Sequence, residues 1–181
     1  MKKILGFVGH IGSGKGAVCE YAAEQHNAGY YRFSTMLRDV LDRMYIPTDR
    51  ANLIRISEVL RENFGEDTLA RVMKRDVEND PHKIVCVDGI RRLADISELR
   101  KIPGFVLIYV EATPGIRYKR VVARKENEGD TTKTFEDFLI DDQRSTELSI
   151  DEVAREADIT ITNNGSLDEL YAQIDKLVQN A

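Results

Sequence analysis

Ile4-Leu5-Gly6-Phe7-Val8-Gly9-His10-Ile11-Gly12-Ser13-Gly14-Lys15-Gly16 is an apolar run of strand length that breaks into a glycine-rich turn and a lysine. A helical pattern, Ala17 to Gln25, follows and closes near Gly29. Strand, loop and helix in that order are the setting in which G-x-x-x-x-G-K-[ST] binds phosphate. The glycines let backbone N–H groups approach phosphate oxygens, the helix N-terminus adds its partial positive charge, and Lys15 adds a full one. Gly9, Gly12, Ser13, Gly14, Lys15, Gly16 and Ala17 are therefore the candidate nucleotide-binding cradle. One position departs from the pattern: Gly16 stands where a hydroxyl would reach Mg²⁺.

Outward from this loop, four more apolar runs read as strands, over 29–33, 83–88, 105–110 and 158–162, with the first over 2–8. The runs at 83–88 and 105–110 are almost continuously apolar, which marks strands covered on both faces, as in a parallel sheet. Helical patterns lie between them, so the class is α/β. Segment 34–44 presents Met36, Leu37, Val40, Leu41 and Met44 as an apolar face, and segment 67–79 presents Leu69, Val72, Met73 and Val77. Residues 45–80 form a helical excursion between the second and third strands. Ser166 with Glu169 predicts a capping box opening the last helix, which buries Leu167, Leu170, Tyr171, Ile174, Leu177 and Val178. Thr134 to Asp137 and Ser149 to Glu152 carry similar start signals.

With 181 residues, 42% hydrophobic and 31% charged, the chain reads as one domain over 1–181 with room for a sizeable core. A net charge of −5 argues against a global field for nucleic acid. No apolar run is long enough for a membrane span or a targeting segment, so the expected location is cytoplasmic. The expected partners are small molecules, and the expected state is a monomer or small homo-oligomer. Cys19 and Cys86 read as reduced, buried thiols rather than a disulfide or metal framework.

Three further constellations carry chemistry. Asp88-Gly89-Ile90-Arg91-Arg92 ends the third strand, beyond whose carboxyl end ligands bind in such sheets. Asp88 is placed to hold Mg²⁺ through water, Gly89 to let a ligand or backbone pass closely, and Arg91 or Arg92 to pair with a phosphate. Arg117, Arg120 and Arg124 share one helical face. The polar stretch 125–133 follows, and Arg144 lies beyond it. Phosphoryl transfer needs cations around the transferred group, because charge spreads over its equatorial oxygens, and a closing loop would exclude water. Ser34-Thr35-Met36-Leu37-Arg38 follows the second strand: Ser34 or Thr35 can cap the helix, and Arg38 can reach a second phosphate-bearing substrate. His10, His26 and His82 receive no catalytic role.

These motifs together resemble the P-loop nucleoside monophosphate kinases, adenylate kinase above all, over nearly the full length but motif by motif. That family's loop reads G-x-P-G-x-G-K-G-T, so glycine after the lysine is shared, while Ile11 replaces the proline and Ala17 the threonine. The resemblance implies a three-layer fold with sheet order 2-3-1-4-5 and helices on both faces. It also implies a short lid at 125–133 and an acceptor-binding segment at 34–80. ATP·Mg²⁺ would be the donor. By the same resemblance Thr35 and Arg38 hold the acceptor monophosphate. Arg92 matches the phosphate-binding arginine of D-G-F-P-R without a gap, with Arg91, one residue early, preferred. Arg120 and Arg124 match the lid arginines, and Asp141-Asp142-Gln143 resembles the D-D-Q that makes Arg144 a transition-state cation.

Dephospho-CoA kinase and its relatives are a close second resemblance. Ile161-Thr162-Asn163-Asn164-Gly165-Ser166-Leu167-Asp168-Glu169-Leu170 is similar to their late I-x-N-x-G-[ST]-L-x-E-L stretch. In both families that loop lies by the adenine, which assigns Asn164 to ATP. Nucleotide-kinase-like families with a G-K-G loop and D-G-I-R also fit. Three functions stay open at this level. They are transfer to a nucleoside monophosphate, transfer to a nucleotide hydroxyl with Asp39 or Asp88 as base, and a regulatory ATP-binding protein with little or no turnover.

Overall fold

Five strands form where the apolar runs stand in the computed structural model, which describes residues 2–124, 133–142 and 145–179. They are β1 (Lys3–Val8), β2 (Gly29–Arg32), β3 (Ile84–Ile90), β4 (Phe105–Glu111) and β5 (Ile159–Thr162). Every pairing is parallel and the order is β2-β3-β1-β4-β5, as the resemblance implied. Parallel strands need crossovers, and helices supply them. Those described are α1 (Lys15–His26), α2 (Phe33–Arg43), α3 (Arg50–Phe64), α4 (Thr68–Asn79), α5 (Leu93–Ser97), α6 (Pro114–Arg124), α7 (Phe135–Asp142), α8 (Ser145–Arg155) and α9 (Leu167–Gln179).

Alternation along the strands splits the core in two. Leu5, Phe7, Cys86, Ile108 and Val110 face α1 and α9, meeting Val18, Cys19, Ala22, Leu170 and Ile174. Ile4, Val8, Val85, Val87 and Leu107 face the other way, onto Leu37, Leu69, Met73, Val77, Ile96 and Ile150. The result is three layers, with α1 and α9 on one side of the sheet and α2, α4, α5 and α8 on the other. Because all strands run the same way, their carboxyl ends share one edge. The segments leaving that edge carry Gly9, Phe33, Arg91, Ala112 and Asn163.

Local signals mostly hold. Ser166 Oγ accepts the Glu169 N–H (3.2 Å), and Glu169 Oε2 accepts the Ser166 N–H (3.1 Å). Thr134 Oγ1 likewise accepts the Asp137 N–H (3.1 Å). Such caps are each worth about 1 kcal/mol. α1 closes on its cap residue Asn27 in the left-handed region (φ 51°), near Gly29 as expected. Three expectations are corrected. Neither Ser34 nor Thr35 caps α2, because the helix already begins at Phe33, whose ring is drawn into the core, and Arg32 occupies the cap position. α8 begins at Ser145, ahead of Ser149. The apolar faces are narrower than the pattern: Val40, Met44, Val72 and Leu167 are exposed, while Phe33 and Ala70 are buried instead. Both cysteines are buried and free, and burial pushes the Cys19 thiol well above its ordinary range. Among the described residues no helix is long and apolar enough to cross a membrane.

Candidate functional site

The glycine-rich loop runs from Gly9 after β1 to Gly14 at the start of α1. Gly14 adopts φ +103° and leaves α1 without a side-chain cap, and no acidic residue stands in the first turn. The first intrahelical bond shown is Val18 N–H to Gly14 C=O (3.1 Å), so the amides of Gly16 and Ala17 precede the helix ladder. Lys15 folds back over the loop: its Nζ donates to Gly9 O (2.6 Å), His10 O (3.0 Å) and Ser13 Oγ (3.4 Å). Uncapped amides, the helix dipole and an ammonium on one small loop make an anion-binding site. At Gly16 a Cβ would meet nothing within 4 Å, so this position has room for the side chain it lacks.

Asp88 is drawn into the last three residues of β3, beside Arg32 of β2 in register, and is buried. Its Oδ2 accepts from the Tyr30 hydroxyl (3.3 Å) and lies 3.4 Å from Arg32 Nε. Burial, and then the Asp88 charge, push the Tyr30 hydroxyl far up, so it stays a proton donor. Asp88 Oδ1 is buried without a hydrogen-bond partner. A lone carboxylate oxygen of this kind suits a hydrated divalent cation. Mg²⁺ keeps most of its waters and takes one or two carboxylates plus substrate phosphates. No group of three or more His, Cys, Asp or Glu that could hold a metal ion occurs among the described residues.

The arginines of α6 divide into two roles. Arg117 is buried and spent on structure. Its guanidinium grips Asp142 through two bonds (2.7 and 2.6 Å), donates to Ala112 O (3.1 Å) and Ile11 O (3.4 Å), and lies over the Phe138 ring. It thereby fastens α7 and the glycine loop to α6, and a Cβ at Gly12 would stand 2.7 Å from its carbonyl oxygen. His10 extends this clasp, with Nε2 2.9 Å from Asp151 and Nδ1 3.7 Å from Asp142. Arg120 instead leaves Nη1 buried and without a partner, while Nη2 donates to Asn163 Oδ1 (2.9 Å). Burial lowers its affinity for the proton, yet a guanidinium at this site remains charged. The Arg124 side chain, Arg144 and the lid residues 125–132 lie outside the described residues. Lys133, the last residue of the expected lid, pairs with Asp141 (2.6 Å).

Beyond β5 the structure gives the buried place to Asn163, which sequence reasoning passed over for Asn164. Asn164 Oδ1 accepts the Thr113 N–H (2.8 Å), whereas Asn163 Nδ2 reaches under the loop to Ser13 O (2.8 Å). The signal was present: Asn163, not Asn164, occupies the N of I-x-N in the quoted stretch.

At the other end of the edge, Gly89 adopts φ +84°, and a Cβ there would come within 3.8 Å of Phe33, so the end of β3 abuts the start of α2. The Arg91 and Arg92 amides both donate to Asp95 Oδ2 (3.0 Å each), and Arg61 of α3 donates to Asp95 Oδ1 (2.6 Å). Arg61 and Asp95 are both buried. Arg91 is exposed, and Arg92 is half-buried with Nη1 3.5 Å from Glu66. Thr35 is exposed, and Arg38 extends to Thr48 O (3.3 Å). Arg38, Arg91 and Arg92 thus stand on the segments that leave β2 and β3.

The chain matches the family model described as "AAA domain" over residues 5–147. It is 30% identical to a UPF0200 protein of Hyperthermus butylicus, across 97% of this chain and 92% of that one. Among solved structures, TT1252 from Thermus thermophilus superposes with a TM-score of 0.64 at 17% identity, covering 99% of this chain and 97% of that chain. Shikimate kinase from Acinetobacter baumannii, solved in complex with shikimate, gives 0.56 at 18% identity, covering 99% and 94%. The fold is that of the P-loop kinases.

Proposed function

The chain belongs to the AAA-domain family and to the UPF0200 family, and we propose that it is a phosphotransferase moving the γ-phosphoryl of ATP to a nucleoside monophosphate. The observation that supports this is that cationic residues stand on successive segments leaving one sheet edge: Arg38 after β2, Arg91 and Arg92 after β3, Lys15 after the central β1, and Arg120 on α6 after β4. An acceptor that brings its own phosphate gives a use to the arginines after β2 and β3; a regulatory nucleotide-binding protein leaves them without a purpose.

In this reading Gly9, Gly12, Ser13, Gly14, Lys15, Gly16 and Ala17 hold the donor phosphates, and Asn164 lies by the adenine. Asp88 would hold Mg²⁺ through water, and the ion would supply positive charge to the donor phosphates. Lys15, Arg120, Arg124 and Arg144 offset charge on the transferred group, with 125–133 as lid. Thr35, Arg38, Gly89 and Arg91 or Arg92 orient the acceptor within the segment 34–80. A monophosphate oxygen is already a nucleophile, so no strong base is needed, and catalysis rests on positioning and electrostatics.

The test supplies ATP·Mg²⁺ with each nucleoside and deoxynucleoside monophosphate, and separately with dephospho-CoA, and follows ADP. Turnover with a monophosphate is expected, and Lys15→Ala abolishes it while the circular dichroism stays unchanged. Turnover only with dephospho-CoA moves the acceptor to a hydroxyl. Tight ATP binding without transfer to any acceptor removes the enzyme reading altogether.

A further inference from the structure

Asn163 is 2% exposed and its carboxamide is used at both ends. Nδ2 donates to Ser13 O (2.8 Å) and Oδ1 accepts from Arg120 Nη2 (2.9 Å), while its own N–H is anchored to Glu111 O (2.7 Å). Only this amide orientation satisfies both contacts, since one partner is an acceptor and the other a donor. The loop is shaped around it: a Cβ at Gly14 would fall 2.2 Å from Nδ2.

Two consequences follow from elementary geometry. The Ser13–Gly14 peptide is planar and trans, so its C=O and N–H point in opposite directions. With the carbonyl pinned on Asn163, the Gly14 N–H is directed away from it, on the loop's other side. Meanwhile Nη2 is pinned on the same carboxamide. The guanidinium is rigid and planar, so this fixes where the partnerless Nη1 points.

We propose that Asn163 is a positioning residue, and that its carboxamide sets the Gly14 peptide N–H and the Arg120 guanidinium together for one polyphosphate ligand. This rests on the phosphotransferase reading above for the ligand's identity. Asparagine suits the site because one carboxamide carries both the donor that Ser13 O needs and the acceptor that Arg120 needs. Aspartate would hold Arg120 but set an oxygen against Ser13 O, while alanine would release both.

The test measures ATP·Mg²⁺ affinity by titration calorimetry for the wild type, Asn163→Ala, Arg120→Ala and the double variant. It also records the amide chemical shift of Gly14 in nucleotide-free protein. We expect each single substitution to weaken binding about tenfold, and the double variant to fall short of their product by at least about fivefold, because interacting residues are not additive. Asn163→Asp and Asn163→Ala should both move the Gly14 amide resonance while resonances of the opposite sheet face stay in place at unchanged circular dichroism, and Asn163→Asp serves if the alanine variant does not fold. Multiplicative losses overturn the proposal, as does a Gly14 resonance equal to wild type. If the wild type binds no ATP, the phosphotransferase reading fails by itself. The amide resonance then still decides whether Asn163 orients the loop.

Discussion

Removing Asp95 tests whether the segment carrying Arg91 and Arg92 is held by a buried ionic brace. Asp95 receives three bonds: Arg61 Nη2 at 2.6 Å and the Arg91 and Arg92 amides at 3.0 Å. Asp95→Ala strands the Arg61 guanidinium, which is 5% exposed. Deleting one partner of a buried ion pair costs ~3–5 kcal/mol. Arg61 keeps Glu66 O (2.5 Å) and Ser57 Oγ (3.4 Å), and the two freed amides lie near solvent, so the lower half of that range, ~3–4 kcal/mol, applies. Arg61→Met leaves Asp95 with two backbone donors and costs less, ~2–3 kcal/mol. In the double variant no charge is left stranded, so the total should stay ~1.5–3 kcal/mol below the sum of the singles. Urea unfolding of all four proteins measures this, and Asp95→Ala should lower Tm by roughly 6–16 °C for a chain of this size. Active Asp95→Ala should also show a raised KM for the acceptor with unchanged ATP affinity. Additive losses within about 0.5 kcal/mol, or a Tm shift below 2 °C, would refute the brace.

Three other outcomes are expected. Gly16→Ser should be tolerated within about 0.5 kcal/mol, since its Cβ meets nothing, and a loss above 2 kcal/mol in urea would contradict the loop geometry. Asp88→Asn should raise the Mg²⁺ concentration for half-maximal transfer about tenfold, because a neutral amide is a weaker partner for a hydrated cation; an unchanged Mg²⁺ curve would remove Asp88 from the metal site. Burial tends to raise the Asp158 carboxyl, but its two bonds from Arg100 (2.8 Å each) and one from the Leu107 N–H (2.7 Å) outweigh this and hold it below its ordinary range. A depressed carboxyl stabilises the fold above its unfolded value and loses that contribution as pH falls through its folded one. The stability gap between wild type and Arg100→Met should therefore be constant above about pH 5 and shrink below about pH 4; a gap that does not narrow at all from about pH 5 to about pH 3 would disprove the linkage.

The sheet was readable because continuous apolar runs leave a strand few alternatives, and the loop because its function lies in the backbone, which glycine spacing reports directly. Side-chain partnerships across the chain were not readable. Arg117 and Arg120 share a helix face and look equivalent. Only the fold brings Asp142 to Arg117, leaving Arg120 with a nitrogen to spare. Asn163 and Asn164 are adjacent, and the choice between them depends on which faces the loop after β5. Asp95 was missed because its local signal, a carboxylate three and four residues after two amides, resembles any turn. Its weight comes from Arg61, 34 positions earlier. The failed cap at Ser34 and Thr35 has the opposite cause: the core took Phe33, and the helix started early to deliver it.

The folded-back Lys15 bears on how the protein behaves in a mixture of ions. Its ammonium is satisfied beforehand by two carbonyl oxygens and a hydroxyl, so an arriving anion must exchange for those contacts rather than simply add to them. An anion with several linked charges offers more in that exchange than one with a single charge. The same contacts hold the ammonium in place over the loop, so the charge stands ready at the turn instead of sweeping through solvent.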